Sequence, residues 1–311
     1  MQIVALAGGI GASKLLVGLN QCMDPRGLTI IVNTGDDITM HGLAISPDLD
    51  IVTYSLAGLV NPDTGWGFKD ETFRALDQLR NYGRPVWFNL GDRDLATHIH
   101  RTAMLRDGAT LSAAADSIRL SLGVKARILP MSDQPVPTMI ETALGRLHFQ
   151  EYLVQKRAEP DVRAIAFDGI EDAQPAPGVL DAIEKARGII LCPSNPLISI
   201  GPILAVRGVR EALRRRRDSV VAICPIVGGK SLKGPSDRML VQLGFDASCY
   251  GVARLYQDIC GIFAIDSGDA AERSRIEGLE MRVVVLPTVM RTMEDKVRLA
   301  GNVLQLFPAG A

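Results

Sequence analysis

Several clusters of small, acidic and basic residues stand out from an otherwise apolar chain. The first is Gly8-Gly9-Ile10-Gly11-Ala12-Ser13-Lys14, directly after the apolar run Ile3 to Ala7. Glycine lets backbone amides approach an anion, and a following helix N-terminus adds positive potential. Lys14 supplies a point charge for a phosphate, so Gly9, Gly11 and Lys14 are candidate ligand contacts. The match to known patterns is partial: Gly9 and Gly11 give half of GxGxxG, and the GxxxxGKS/T spacing is absent. A tight strand-to-helix turn without a ligand is the alternative.

The second cluster is acidic: Asp36, Asp37, Asp48, Asp50 and Asp63, with His41 among them. Carboxylates near a phosphate loop are an ordinary way to hold Mg2+ together with waters and substrate phosphates. Loop capping is the alternative for each residue singly. Gly91-Asp92-Arg93-Asp94, followed by His98, His100 and Arg101, is dense in titratable groups. If the segment after Leu95 is helical, Thr97 and Arg101 share a face, as do Ala96 and His100, and basic groups could face a phosphate. An Asp/Arg network fixing a helix start is the other reading; Asp92 is kept as a candidate ligand contact. Ser194-Asn195-Pro196 offers short donors for a base, ribose or phosphate. Gly228-Gly229-Lys230 with Lys233 forms a second glycine-lysine loop, and two such loops suggest a diphosphate-containing donor. No GxSxG elbow is present, and no cysteine stands beside an obvious histidine. Phosphate positioning, Mg2+ and an incoming hydroxyl fit this inventory better than a covalent nucleophile.

The elements that position these groups alternate. Strand-like apolar runs are expected at Ile3–Ala7, Leu28–Val32, Val86–Asn89, Gly188–Cys192, Val220–Cys224, Ile262–Ile265 and Met281–Leu286. Helical patterns are expected at Lys14–Asn20, Asp70–Tyr82, Ser112–Leu122 and Pro202–Arg217, the last with an arginine-rich C-terminus. The alternation predicts an α/β, Rossmann-like three-layer fold on a parallel sheet, in which ligands sit beyond the carboxyl ends of the strands. Residues 133–170 break the rhythm and predict a small β-hairpin/helical insert, with the antiparallel hairpin formed by Leu147–Val154 and Val162–Phe167. Residues 38–68 predict an active-site lid with one helical run near Ile51–Leu59. The whole of 1–311 is expected to be a single domain.

The composition is consistent with this. The 311 residues carry 35 acids against 34 bases, with 47% hydrophobic residues, which excludes a disordered chain and argues against a generic nucleic-acid binder. No apolar stretch is long enough for a membrane span, and MQIVALAGGIGASK reads as a first strand rather than a signal peptide. The five cysteines are widely spaced and form no CxxC pair, as expected of buried thiols in a cytoplasmic protein.

Taken together, these segments resemble the 2-phospho-L-lactate transferase family of coenzyme F420 biosynthesis, called CofD in archaea and FbiA in mycobacteria. The resemblance runs nearly end to end. It rests on Ala7–Leu15, Val32-Asn33-Thr34-Gly35-Asp36-Asp37, His41–Asp50, Leu56–Pro62, Thr64-Gly65-Trp66-Gly67, Leu90–His98, Leu129–Asp133, Phe149-Gln150-Glu151-Tyr152, Cys192–Pro196 and Gly229–Pro235. It implies that a guanosine diphosphate-linked C3 acid donates its phospho-acyl unit to the ribityl hydroxyl of the deazaflavin Fo. The products are then F420-0 or its dehydro form, and GMP. It also implies Mg2+ and a homodimer. By resemblance Asp50 and Asn89 fall at positions that contact Fo, the second where relatives carry a basic residue. Asp36, Asp37 and Asp63 become the candidates for metal or donor phosphate, and Asp36, Asp37 and Asp50 for catalysis. Asn195, Gly229, Lys230 and Lys233 are assigned to the guanylyl end. The donor's C3 acid stays open among 2-phospholactate, enolpyruvyl phosphate and 3-phosphoglycerate types, with a lean to the enolpyruvyl donor. A nucleotide-binding regulator of the same fold would bind nucleotide without Fo. An NAD(P)-dependent oxidoreductase would need the complete GxGxxG that Lys14 interrupts.

Overall fold

The computed structural model describes residues 2–308. Its centre is a seven-stranded sheet of β1 (Ile3–Ala7), β2 (Leu28–Val32), β3 (Arg127–Pro130), β4 (Gly188–Leu191), β5 (Val220–Ile223), β6 (Ile262–Asp266) and β7 (Arg282–Leu286), in spatial order 7-6-5-4-1-2-3. Every neighbouring pair is parallel. The chain order reverses between β1 and β4, which is the switch point where such sheets open a crevice.

Burial on both faces explains why the strands are continuous apolar runs. In β1, Val4 and Leu6 point into one core with Ile189, Leu191 and Phe263, while Ile3, Ala5 and Ala7 point into the other with Ile30, Val32 and Ile190. The second core is covered by α1 (Gly9–Cys22), α2 (Pro47–Leu56), α5 (Leu111–Ser121) and α12 (Met293–Leu304). The first lies under α6 (Val179–Lys185), α7 (Ile200–Ala205), α8 (Val209–Arg215), α10 (Cys249–Tyr256) and α11 (Arg273–Glu277). The expected three-layer Rossmann-like fold is therefore present. Helices α3 (Arg74–Asn81), α4 (Asp92–Arg106) and α9 (Ser236–Gln242) lie at the carboxyl edge or beside the insert.

Four local expectations are corrected. Val86–Asn89 is not a strand; Trp87 and Phe88 pack instead on Met40, Ile45 and Leu90 beneath the hairpin Ile38–Met40/Leu43–Ile45. The helix expected over Pro202–Arg217 is two helices, α7 and α8, because Val206 is extended and Gly208 takes φ +82° between them. The insert is a three-stranded antiparallel sheet with Thr138–Thr142 central between Gly145–His148 and Ala164–Phe167, not a hairpin of 147–154 with 162–167. In the segment 38–68, helix α2 begins at Pro47, whose fixed φ suits a first helical position, and it buries Leu49 and Val52 in the core. The helical run expected near Ile51–Leu59 therefore starts four residues earlier and ends at Leu56. Among the described residues no helix is long and apolar enough to cross a membrane.

Candidate functional site

A cleft of about 520 Å³ opens over the carboxyl ends of β1, β2, β4 and β5. Gly8, Gly9, Gly11 and Lys14 line it from the β1–α1 turn, and Pro193, Ser194 and Asn195 from the loop after β4. The switch point of the sheet therefore forms its floor. Ser194 Oγ donates to Gly8 O at 2.8 Å and ties these two loops together.

The acidic wall begins where β2 ends. Asn33, fully buried, donates from Nδ2 to Asp36 Oδ1 and to Asp48 Oδ2, each at 2.9 Å. Gln150 Nε2, from the insert, donates to Asp36 Oδ2 at 3.1 Å, and Gly9 N donates to Asp48 Oδ1 at 2.8 Å. Burial, followed by the neighbouring Asp48 charge, holds Asp36 well above the carboxylate range; burial pushes Asp48 up to about 6. Two buried carboxylates that resist ionising together are an arrangement that a divalent cation would relieve.

Asp48 and Asp50 sit in the first turn of α2, where the helix dipole favours negative charge. At two residues' separation they point to different sides. Asp50 turns to Arg101 on α4, whose Nη1 lies 3.1 Å from Oδ2 while Nη2 bonds Oδ1. Burial raises the Asp50 pKa against the opposing charges of Arg101 and His98. One turn before Arg101, His98 faces Asp50 through Nδ1 at 3.7 Å and Asp94 through Nε2 at 3.3 Å. Tyr54 OH donates to Asp94 Oδ1 at 2.7 Å. One ligand atom each from Asp50, Asp94 and His98 fall within 4.8 Å of one another, a set that could coordinate a divalent metal.

Lys14 and Lys233 also line the cleft; Lys14 donates to Met290 O at 3.3 Å and Lys233 to Thr64 O at 3.2 Å. Burial and the charges of Lys233 and Lys296 lower the Lys14 pKa, so an anion placed here would gain from several ammonium groups. Trp66, Phe88, Phe149 and Leu232 add apolar surface to the same lining.

Asp36, Asp50, Gly9, Gly11, Lys14, Asn89, Asn195 and Lys233 all line this cleft. The others lie elsewhere. Asp37 is just behind the wall, with Oδ2 accepting from Ser46 Oγ at 2.7 Å and Oδ1 buried without a partner. Asp63 is exposed in the 61–67 turn. Gly229 and exposed Lys230 belong to the hairpin Ile226–Val227/Lys230–Ser231, outside the cleft lining. Asp92 accepts from Thr72 Oγ1, Arg74 N and Ala75 N, which caps α3 and holds its carboxyl below the usual range. Glu71 in return accepts from Arg93 N and Asp94 N at the start of α4. Arg101 does not face outward to a phosphate but is buried against Asp50, and His100 bonds Ser117 at the surface. Asp94 and His98 stand in the titratable cluster noted in the sequence but were assigned no role; their i, i+4 spacing on α4 was the available signal. Asn33 and Gln150 carried no titratable signal at all.

With this geometry established, the chain can be set beside known proteins. The family model described as 2-phospho-L-lactate transferase CofD matches residues 3–277. The chain belongs to the CofD family. Among similar curated relatives, a 2-phospho-L-lactate transferase of Methanosarcina mazei is 40% identical, covering 98% of this chain and 100% of that protein. A phosphoenolpyruvate transferase of Streptomyces griseus is 42% identical, covering 98% of each. Among solved structures, BH3568 of Bacillus halodurans, a member of the upf0052 family, aligns with a TM-score of 0.66 at 18% identity, covering 97% of this chain and 98% of that one. That likeness concerns the fold. The CofD family match includes the glycine loop, both acidic clusters and the second lysine loop, so all of the cleft lining except Thr288 and Met290 lies within the family region.

Proposed function

We propose that this CofD-family chain transfers a phospho-C3-acid unit from its guanosine diphosphate-linked donor to the ribityl hydroxyl of Fo. The ribityl oxygen attacks the phosphorus that bears the C3 acid, the bond from that phosphorus to GMP breaks, and the hydroxyl proton is released. F420-0 or dehydro-F420-0 and GMP result. The observation that carries this reading is the family match over a cleft lined by buried carboxylates and by two lysines. Such a cleft suits a doubly charged diphosphate meeting a neutral, ring-bearing acceptor.

In this reading Lys14 and Lys233 hold the donor phosphates, with Asn195 and the Gly229–Lys230 hairpin toward the guanylyl end. Asp50 and Asn89 orient Fo. Asp50 has both oxygens committed to Arg101, so it positions rather than removes a proton. Magnesium, held by Asp36 with Asp48, would supply charge neutralisation at the donor phosphates. That pair suits a cation better than Asp50, Asp94 and His98, because the Arg101 guanidinium already neutralises Asp50. Asp37 supports the wall from behind, and Asp63 has no part in this proposal. Residues 1–311 act as one transferase domain, with 133–170 as insert and 38–68 as wall and lid. A homodimer in the cytoplasm, with no nucleic acid or membrane partner, completes the reading.

Relatives named for 2-phospho-L-lactate and for phosphoenolpyruvate are similar to this chain at 40% and 42% identity, so identity alone does not choose the C3 acid. The test is the purified protein with Fo, Mg2+ and each of the three guanylylated C3 donors, read by mass spectrometry. Product from at least one donor is expected. Absence of an F420-0-type product from all three overturns the proposal.

A further inference from the structure

Asn33 makes a contact pattern that a loop anchor does not require. Its Oδ1 accepts from Gly35 N at 2.8 Å, which fixes the orientation of the amide. Its Nδ2 then faces Asp36 Oδ1 and Asp48 Oδ2 at 2.9 Å each, and Ile198 O at 3.3 Å. An amide nitrogen carries two hydrogens, and the two shorter contacts go to the two carboxylates. One neutral group therefore spans a pair of buried acids. The far oxygen of Asp36 is met by Gln150 Nε2 at 3.1 Å and that of Asp48 by Gly9 N at 2.8 Å.

The bridge is closely packed. A Cβ at Gly8 would come within 2.7 Å of Asp48 Oδ2 and 3.2 Å of Asn33 Cβ, so the glycine loop lies directly on it. An aspartate at 33 would place a third carboxylate among two, with no donor between them. An apolar residue would leave both acids and Gly35 N–H short of partners. Only an amide of this length satisfies all of these groups at once.

We infer that Asn33 and Gln150 form an amide clamp, positioning residues that hold Asp36 and Asp48 at the spacing and orientation in which they take a divalent cation. Asn33 sets the distance between the carboxylates, and Gln150, reaching from the antiparallel insert, sets the tilt of Asp36. The inference rests on the proposed Asp36–Asp48 cation pair. It gives the insert a role in the site, since Thr138 N also donates to Gly35 O at 2.7 Å and His148 bonds Asp37 O at 3.1 Å.

The test is Mn2+ binding to the full chain, read from the electron paramagnetic resonance signal of free Mn2+ and needing no turnover. Asn33→Ser keeps a short acceptor for the turn but cannot span the acids. It is expected to weaken Mn2+ binding by about tenfold or more, the usual effect of losing a group that orients a metal ligand. Gln150→Leu is expected to weaken it by a smaller factor. In the transfer assay both should lower kcat while KM for Fo stays within about twofold, the pattern of an interaction used at the reacting centre. A folded Asn33→Ser protein that binds Mn2+ as the wild type does overturns the inference. If that variant does not fold, Gln150→Leu decides on the same criterion. Wild-type protein without Mn2+ affinity overturns it as well. A wild type that binds Mn2+ but forms no product refutes the transfer reading and leaves the clamp to be judged on Mn2+ alone.

Discussion

Arg101 and Asp50 meet side by side at the cleft, their side chains only 1% and 7% exposed, with Nη1 on Oδ2 at 3.1 Å and Nη2 on Oδ1. A buried pair of this kind contributes little net stability against an apolar substitute, yet removing one partner strands the other. Arg101→Met should therefore destabilise the protein by about 3–5 kcal/mol, and adding Asp50→Asn should recover part of the loss. Urea unfolding of the two single variants and the double variant measures this. A loss under about 1 kcal/mol for Arg101→Met would mean that Asp50 finds another partner. The pairing also governs how Asp50 is tested for Fo binding: Asp50→Asn is the cleaner variant, because Asp50→Ala leaves the buried Arg101 without its carboxylate partner and with Nη2 unbonded, only Nη1 keeping Ala44 O at 3.3 Å and His98 Nδ1.

Two glycines of the first loop are required for different reasons. Gly9 adopts φ +71° with open space around its missing Cβ, whereas a Cβ on Gly11 would lie 2.3 Å from Pro193 O. Gly9→Ala should cost about 1–2 kcal/mol through backbone conformation alone. Gly11→Ala must push α1 away from the loop after β4 and should cost at least about 1–3 kcal/mol. It should also weaken donor binding, since that loop carries Asn195. Thermal unfolding and nucleotide titration of the two variants separate the effects. Equal stability losses with equal nucleotide affinity would contradict the close-approach account.

How far these positions could be read beforehand depended on whether the signal was local. Six of the seven sheet strands were legible, because burial on both faces writes a continuous apolar run ended by Gly, Pro, Asn or Asp. The exception, Arg127–Pro130, is short and opens on a charge; its closing proline is tolerated because the strand lies at the sheet edge. Val86–Asn89 carried the same apolar signature but spends it against a hairpin, which only tertiary packing decides. The glycine loop and Lys14 were legible as anion-facing for the same local reason. Asp48 and Asp63 were not distinguishable as carboxylates in polar loops. What separates them is the start of α2 at Pro47, which turns Asp48 inward to Gly9 and Asn33. Asn33 and Gln150 are far apart in sequence and neutral, so their meeting at Asp36 is a property of the fold alone.

His148 ties the insert to the acidic loop in one protonation state. Gln150 N donates to Nδ1 at 3.1 Å, so the proton sits on Nε2, which donates to Asp37 O at 3.1 Å. Burial lowers the His148 pKa below 6.5. As pH falls below 6.5 the unfolded chain takes up this proton before the folded one does, so the His148 contribution is complete above that pH and is lost as pH drops through the window below it. His148→Gln should reduce the steepness of the stability loss as pH falls below 6.5. Denaturant unfolding at a series of pH values measures it; parallel curves for the two proteins would exclude the effect.

Asn89 stands on the exposed lip of the cleft, on the irregular segment anchored by Trp87 and Phe88. An exposed amide here can offer Fo a hydrogen bond but little charge stabilisation to the reacting phosphorus. Its loss should therefore act on acceptor binding equally in the ground and transition states, which raises KM and leaves kcat alone. For one neutral hydrogen bond the expected rise in KM for Fo with Asn89→Ala is about two- to tenfold, with donor KM unchanged. Asn89→Lys should be tolerated by the fold because the position is exposed, and it tests whether a cation at this lip strengthens Fo binding. Steady-state kinetics with Fo varied at saturating donor decide the point. A fall in kcat with unchanged KM for Asn89→Ala would place this amide at the reacting centre rather than at the acceptor's edge.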